Sequence, residues 1–209
     1  MNILKEYVYS LIDDKQDPAH MIDHIERVYE IGMLIGREEG ADLRILSPAL
    51  LFHDIIRPTD EEQELDHAIR SAEFAQVILA EFGYNREEID KIVDAIIKSS
   101  TSNAYQSIPN TLESKILFDA DKLDGIGEIG VKRVEMLWRR RFAIKNQEYD
   151  PKIVARWYLK KIIQVSKIGL FTNKARELAR ERILISLNYC KDILKDEYYD
   201  IINGAPAGI

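Results

Sequence analysis

The chain has 209 residues, 46% of them hydrophobic and 31% charged, with only 10 Gly and 6 Pro, which excludes collagen-like, low-complexity and intrinsically disordered classes. Its single cysteine, Cys190, excludes a disulfide-framed secreted fold and sets the expectation of a reducing, cytoplasmic location. The net charge of −7 argues against wholesale attraction to nucleic acid, yet residues 132–182 carry 15 Lys and Arg against 5 Asp and Glu, a local excess of +10.

The opening MNILKEYVYSLIDDK is acidic in places and lacks a small-residue cleavage site, so it reads as an amphipathic helix and not as a signal peptide. Ile22, Ile25, Val28 and Ile35 trace one face of a helix that Gly40 can terminate. Ser47-Pro48 predicts a cap followed by proline at the first helical position. A helix from about His67 should stop at Gly83, and Asn85 with Glu88 predicts a capping box for the next. Ser99 to Pro109 reads as a polar loop. Asp150-Pro151 repeats the cap-then-proline signal, and a helix from about Thr172 should run to Gly204. No stretch alternates as a strand, and none approaches the roughly 20 apolar residues of a membrane span. The expected fold is all-α: one domain with a core over about 18–146 and a helical extension over about 147–204.

Chemistry enters where polar residues interrupt apolar helices. Ala49 to Ile56 is apolar on every side except at His53 and Asp54, and a buried carboxylate there needs a cation or strong donors. His24 shares a helix face with Val28, Ile31 and Ile35, opposite Glu26, Glu30 and Glu38. Asp119, Asp121 and Asp124 interrupt ILFDADKLDGIG, with Asp121 and Asp124 on the face of Leu117. Three helices thus each turn an imidazole or carboxylate inward. One shared divalent metal with nitrogen and oxygen ligands, drawn from Mn, Fe, Ni, Co or Mg, meets all three demands.

His24, His53-Asp54 and Asp121, in that order, resemble the HD superfamily of metal-dependent phosphohydrolases. HIERV at 24–28, LFHDI at 51–55 and TLESKILFDADKLDGIGEIGVKR at 111–133 extend the likeness from about His20 to about Arg141. The resemblance implies an all-helical fold, hydrolysis of a phosphate ester or anhydride, and Asp121 as the fourth metal ligand, with Asp119 the competing assignment. It implies a single metal, because Ile97-Lys98-Ser99-Ser100 stands where two-metal relatives carry a further histidine. Arg57 occupies a position that is acidic in several nucleotide-cleaving relatives, so His67 is nominated as proton donor, alongside Asp54 at the catalytic centre. Lys122, Arg27 and Arg57 are nominated to meet substrate phosphate, and His20 is assigned a local hydrogen-bonding role.

These readings converge on a phosphohydrolase of small phosphorylated metabolites, nucleotides first, independent of any membrane and of undetermined oligomeric state. Two alternatives stand beside it. Trp138, Phe142, Trp157, Tyr158 and Phe171, interleaved with Arg and Lys, fit a single-stranded nucleic-acid groove if they are not core residues. A helical binding module that keeps a metal only for stability is the other.

Overall fold

The computed structural model describes residues 3–12, 22–56, 67–100 and 108–204. Within them the chain forms ten helices and no strand: α1 Ile3–Leu11, α2 Ile22–Glu39, α3 Leu43–Phe52, α4 His67–Glu81, α5 Arg86–Ser99, α6 Leu112–Asp124, α7 Gly127–Ile144, α8 Pro151–Ile168, α9 Asn173–Leu194 and α10 Asp196–Asn203. The all-α expectation holds, and no described helix is long and apolar enough to cross a membrane.

Five of the ten described helices, α3, α5, α6, α8 and α9, start at side chains that satisfy the unpaired N–H groups of a first turn. Asn85 and Glu88 form the reciprocal capping box at α5. Asp150 accepts from the Lys152 N–H ahead of Pro151, Thr172 accepts from Ala175 at α9, and Gly40 and Gly83 follow α2 and α4 with positive φ. Two boundaries differ from the sequence reading. Helix α3 begins at Leu43, capped by Asp42 through the Arg44 N–H, so Ser47 is no cap and Pro48 lies inside the helix. Proline there removes one N–H, but the flanking residues from Ile45 to Phe52 are all buried, and their packing outweighs one missing bond. The helix from Thr172 does not reach Gly204 unbroken. Lys195 takes φ 54°, ψ −123° and divides it into α9 and α10.

Two apolar clusters fill the interior. The larger draws on α1 to α6 and on Ala175 and Ala179 of α9. The smaller joins α7, α8, the later part of α9 and α10 around Val154, Tyr158, Leu159 and Cys190. Helix α9 packs in both. Helices α2 and α3 meet through glycine: a Cβ at Gly32 would come within 2.3 Å of the Leu50 side chain, and one at Gly36 within 2.3 Å of Leu46. That close approach brings His24, on the first turn of α2, toward His53 at the end of α3.

The α6–α7 corner is tighter still. A Cβ at Gly130 would lie 2.3 Å from the Gly125 carbonyl oxygen and 2.7 Å from the Tyr158 hydroxyl, and backbone cannot rotate away as a side chain can. Gly130→Ala should therefore lower stability by roughly 1–3 kcal/mol through overpacking, measured as a drop in Tm of the purified variant.

Cys190 is fully buried, and burial pushes its thiol pKa up to about 12. Its thiol should resist alkylation at pH 8 in the folded chain and react rapidly in denaturant. Equal rates in the two conditions would contradict this packing.

Candidate metal centre

The site is assembled from the local needs of three helices. The last carbonyls of α3 lack helical N–H partners, and His53 donates its Nδ1 proton to the Leu50 carbonyl at 2.9 Å. A carbonyl only accepts, so this bond fixes the tautomer and turns the unprotonated Nε2 of the neutral ring inward. His24 sends its Nδ1 to Asp124 Oδ2 at 2.7 Å, and its Nε2 likewise points inward. The two Nε2 atoms face each other at 3.4 Å. Two ring nitrogens whose other protons are already committed need a cation between them, either one proton or a metal ion.

Carboxylates close around that pair. Asp121 Oδ1 lies 3.7 Å from His24 Nε2, and one ligand atom each from His24, His53 and Asp121 lie within 4.8 Å of one another. Asp54 Oδ2 flanks them at 3.6 Å from His24 Nε2 and 3.9 Å from His53 Nε2. His67 Nε2 stands 3.6 Å from Asp54 Oδ1. His24, His53, Asp54 and His67 are all buried, whereas the Asp121 side chain retains 26% exposure, so the cluster opens to solvent on the Asp121 side. Lys122 Nζ sits there, 2.5 Å from Asp121 Oδ2.

Electrostatics suit a cation. Burial is the largest influence on His53 and holds its pKa below the ordinary imidazole value, favouring the neutral ligand form, while Asp54 pulls upward. Burial opposes ionisation of Asp121, but Lys122, His24 and His53 together outweigh it, and the carboxyl stays well below the usual carboxylate range. Two imidazole nitrogens and two carboxylates match the donor set of a hard-to-borderline divalent ion.

Asp124 is the residue that sequence reasoning noticed and gave no task. It accepts from His24, from Arg27 Nε at 2.6 Å and Nη2 at 3.3 Å, and from Arg133 Nη1. Its carboxylate is also held far below the usual range: burial opposes, and the bonds from His24 and Arg27 and the charge of Arg133 prevail. The signal in the sequence was a third inward carboxylate on α6, but its partner His24 lies a hundred positions away.

The other nominated residues fall as follows. Arg27 binds Asp124 and lines a cavity of about 660 Å³ between α2, α7 and α9, apart from Lys122. Asp119 is fully buried away from the imidazoles, accepting from the Phe171 and Thr172 N–H groups and the Thr172 hydroxyl, where it ties the start of α9 to α6. Arg57, His20 and most of the Ser99–Pro109 loop lie outside the described residues. Of the basic stretch, Arg133 and Lys161 line a cavity of about 220 Å³ that begins at Asp121 and Lys122. Arg139 instead stacks on Tyr149 and Arg141 lies over Trp138. Trp138, Phe142, Trp157 and Tyr158 belong to the smaller apolar cluster, and Phe171 packs edge-on against Phe118. That is core packing, not a row of exposed stacking platforms.

The family model of the HD domain matches residues 21–126. The chain belongs to the HD domain family. YpgQ of Bacillus subtilis is 29% identical over 199 residues, covering 92% of this chain and 91% of its own. A solved structure of YpgQ in complex with ADP superposes with a TM-score of 0.68 at 28% identity, over 92% of this HD protein and 97% of that chain. A predicted HD superfamily hydrolase from an uncultured Thermotogales bacterium gives 0.63 at 27% identity, over 91% and 89%.

Asp124→Asn keeps the shape but removes the charge behind His24, and such supporting partners contribute about 10–100-fold to metal affinity. The variant should bind manganese that much more weakly by calorimetry while remaining folded. The same carboxyl has a folded pKa below its unfolded value, so its contribution to stability is present above about pH 4 and is lost as pH falls further. Denaturant melts between about pH 5 and 3 should show a shallower loss for Asp124→Asn than for the parent.

Proposed function

We propose that this chain is a metal-dependent phosphohydrolase, acting in the cytoplasm on a small phosphorylated metabolite, and that its substrate is a nucleotide. The observation that carries the reading is the pair of inward Nε2 atoms, 3.4 Å apart, with carboxylates of Asp54 and Asp121 beside them. Support for a nucleotide comes from the relative YpgQ, solved with ADP, and from Lys122, Arg133 and Lys161 lining the cavity at Asp121.

In this reading His24, His53, Asp54 and Asp121 hold one divalent ion, with Mn, Mg, Ni, Co and Fe all compatible with the donors. When bound, such an ion supplies a Lewis acid that lowers the pKa of water and offsets charge on phosphorus. The chain's own residues do the rest. Lys122, already drawn to the open side of Asp121, meets the substrate phosphate and offsets its charge. His67, held against Asp54, carries a proton at Nε2 for the leaving oxygen as water forms the new P–O bond and the old one breaks. Asp124 keeps His24 oriented throughout.

Asp121 and Lys122 are neighbours that should fail differently. Asp121→Ala should lose bound metal and hydrolysis together. Lys122→Ala should keep its metal and lose about 1–3 kcal/mol in kcat/KM, the value of one charged hydrogen bond. The check is metal analysis and kinetics on nucleotide mono-, di- and triphosphates with products identified. Normal metal and turnover in Asp121→Ala would overturn the ligand set. Metal-loaded parent protein that cleaves none of these phosphates would overturn the enzymatic reading and favour a binding module.

A further inference from the structure

The cavity at Asp121 has a neighbour. It shares Lys122, Ile126, Ile162 and Val165 with a second cavity of about 290 Å³ that runs between α8 and α9. Separately each falls below the roughly 300–1,000 Å³ of ordinary ligand sites, and a ligand spanning both would have that volume available. The two chambers differ in chemistry. The first is lined by Lys122, Arg133 and Lys161, with Asp121 the carboxylate among its described lining residues, beside Trp157 and Tyr158. The second has aliphatic walls, Ile126, Ile162, Val165, Leu170, Ala179 and Ile183, and among the described residues no acidic or amide side chain lines it. Its polar lining is Lys122, Ser166, Arg176 and Arg180, and Arg176 is engaged with the Leu170 carbonyl and Asn173.

Resting on the nucleotide reading above, we propose that this cleft is the substrate groove: phosphates lie in the cationic chamber at Asp121, and the nucleobase enters the aliphatic chamber between α8 and α9. A flat heterocycle gains from burial against such walls. The ring of a sugar phosphate presents mostly hydroxyl surface and gains far less from those aliphatic walls. The groove therefore selects nucleotides over sugar phosphates by the surroundings of the organic group, while the phosphate end is common to both. Asp119 shapes the chamber from behind, because its bonds to Phe171 and Thr172 hold the α8–α9 turn, with Leu170, in place.

The test fills the chamber from two sides and reads binding, not turnover. Ser166 on α8 and Ile183 on α9 are both half-buried lining residues, so Ser166→Trp and Ile183→Trp block it independently. Manganese-loaded parent and variants are titrated by calorimetry with ADP, ribose 5-phosphate and inorganic pyrophosphate. Both tryptophan variants should lose about tenfold or more in ADP affinity and hold pyrophosphate within about twofold, and the parent should prefer ADP to ribose 5-phosphate. ADP affinity unchanged in both variants, or lost together with pyrophosphate, would overturn the chamber assignment. So would loss of ADP confined to Trp157→Ala, which would place the base on that indole. A parent that binds pyrophosphate but no ADP would overturn the nucleotide reading and the groove with it.

Discussion

A carboxylate in a protein interior must be met by donors or be neutralised, and Asp124 is met by His24, Arg27 and Arg133 from two other helices. That hub decides the rest of the site. It accepts the Nδ1–H of His24, which turns Nε2 toward His53, and the Leu50 carbonyl accepts that of His53 at the end of α3. Neither imidazole is then free to satisfy the other. The centre is polarised for a cation before any substrate arrives, which is the meaning of preorganisation here.

Packing supplies the distances. Gly32 and Gly36 let α2 and α3 approach until Leu50 and Leu46 fill the space where side chains would stand. Gly130 does the same at the α6–α7 corner, against the Gly125 carbonyl and Tyr158. Through that corner, Arg133 is brought from α7 to Asp124 and to the cavity wall at once. The smaller apolar cluster of α7 to α10 thus backs the side of the cavity at Asp121 that carries Arg133 and Lys161.

Much of this was legible in the sequence, for reasons that can be named. Asn85 with Glu88, Asp150-Pro151 and Thr172 announce helix starts because their side chains answer a local demand of the backbone. Inward polar residues on apolar faces announced the centre, since burial without compensation is too costly to occur idly. What stayed hidden depended on distant partners. Ser47-Pro48 looked like a start because proline favours a first turn, but eight consecutive buried residues in α3 carried the helix across it. The aromatics of residues 138–171 read more readily as core than as a nucleic-acid groove, and their mutual contacts are those of a core. The task of Asp124 required knowing which histidine it touches.

The central claim is that both imidazoles present an unprotonated Nε2 to a shared cation. Long-range proton–nitrogen NMR of the histidine side chains, recorded on metal-free protein and then with zinc at neutral pH, tests it most directly. The account predicts that His53 is the Nδ1–H tautomer without metal. On zinc addition, the Nε2 resonances of His24 and His53 should shift together, with both Nδ1 protons retained. An Nε2–H tautomer for His53, or zinc that moves neither ring, would contradict it.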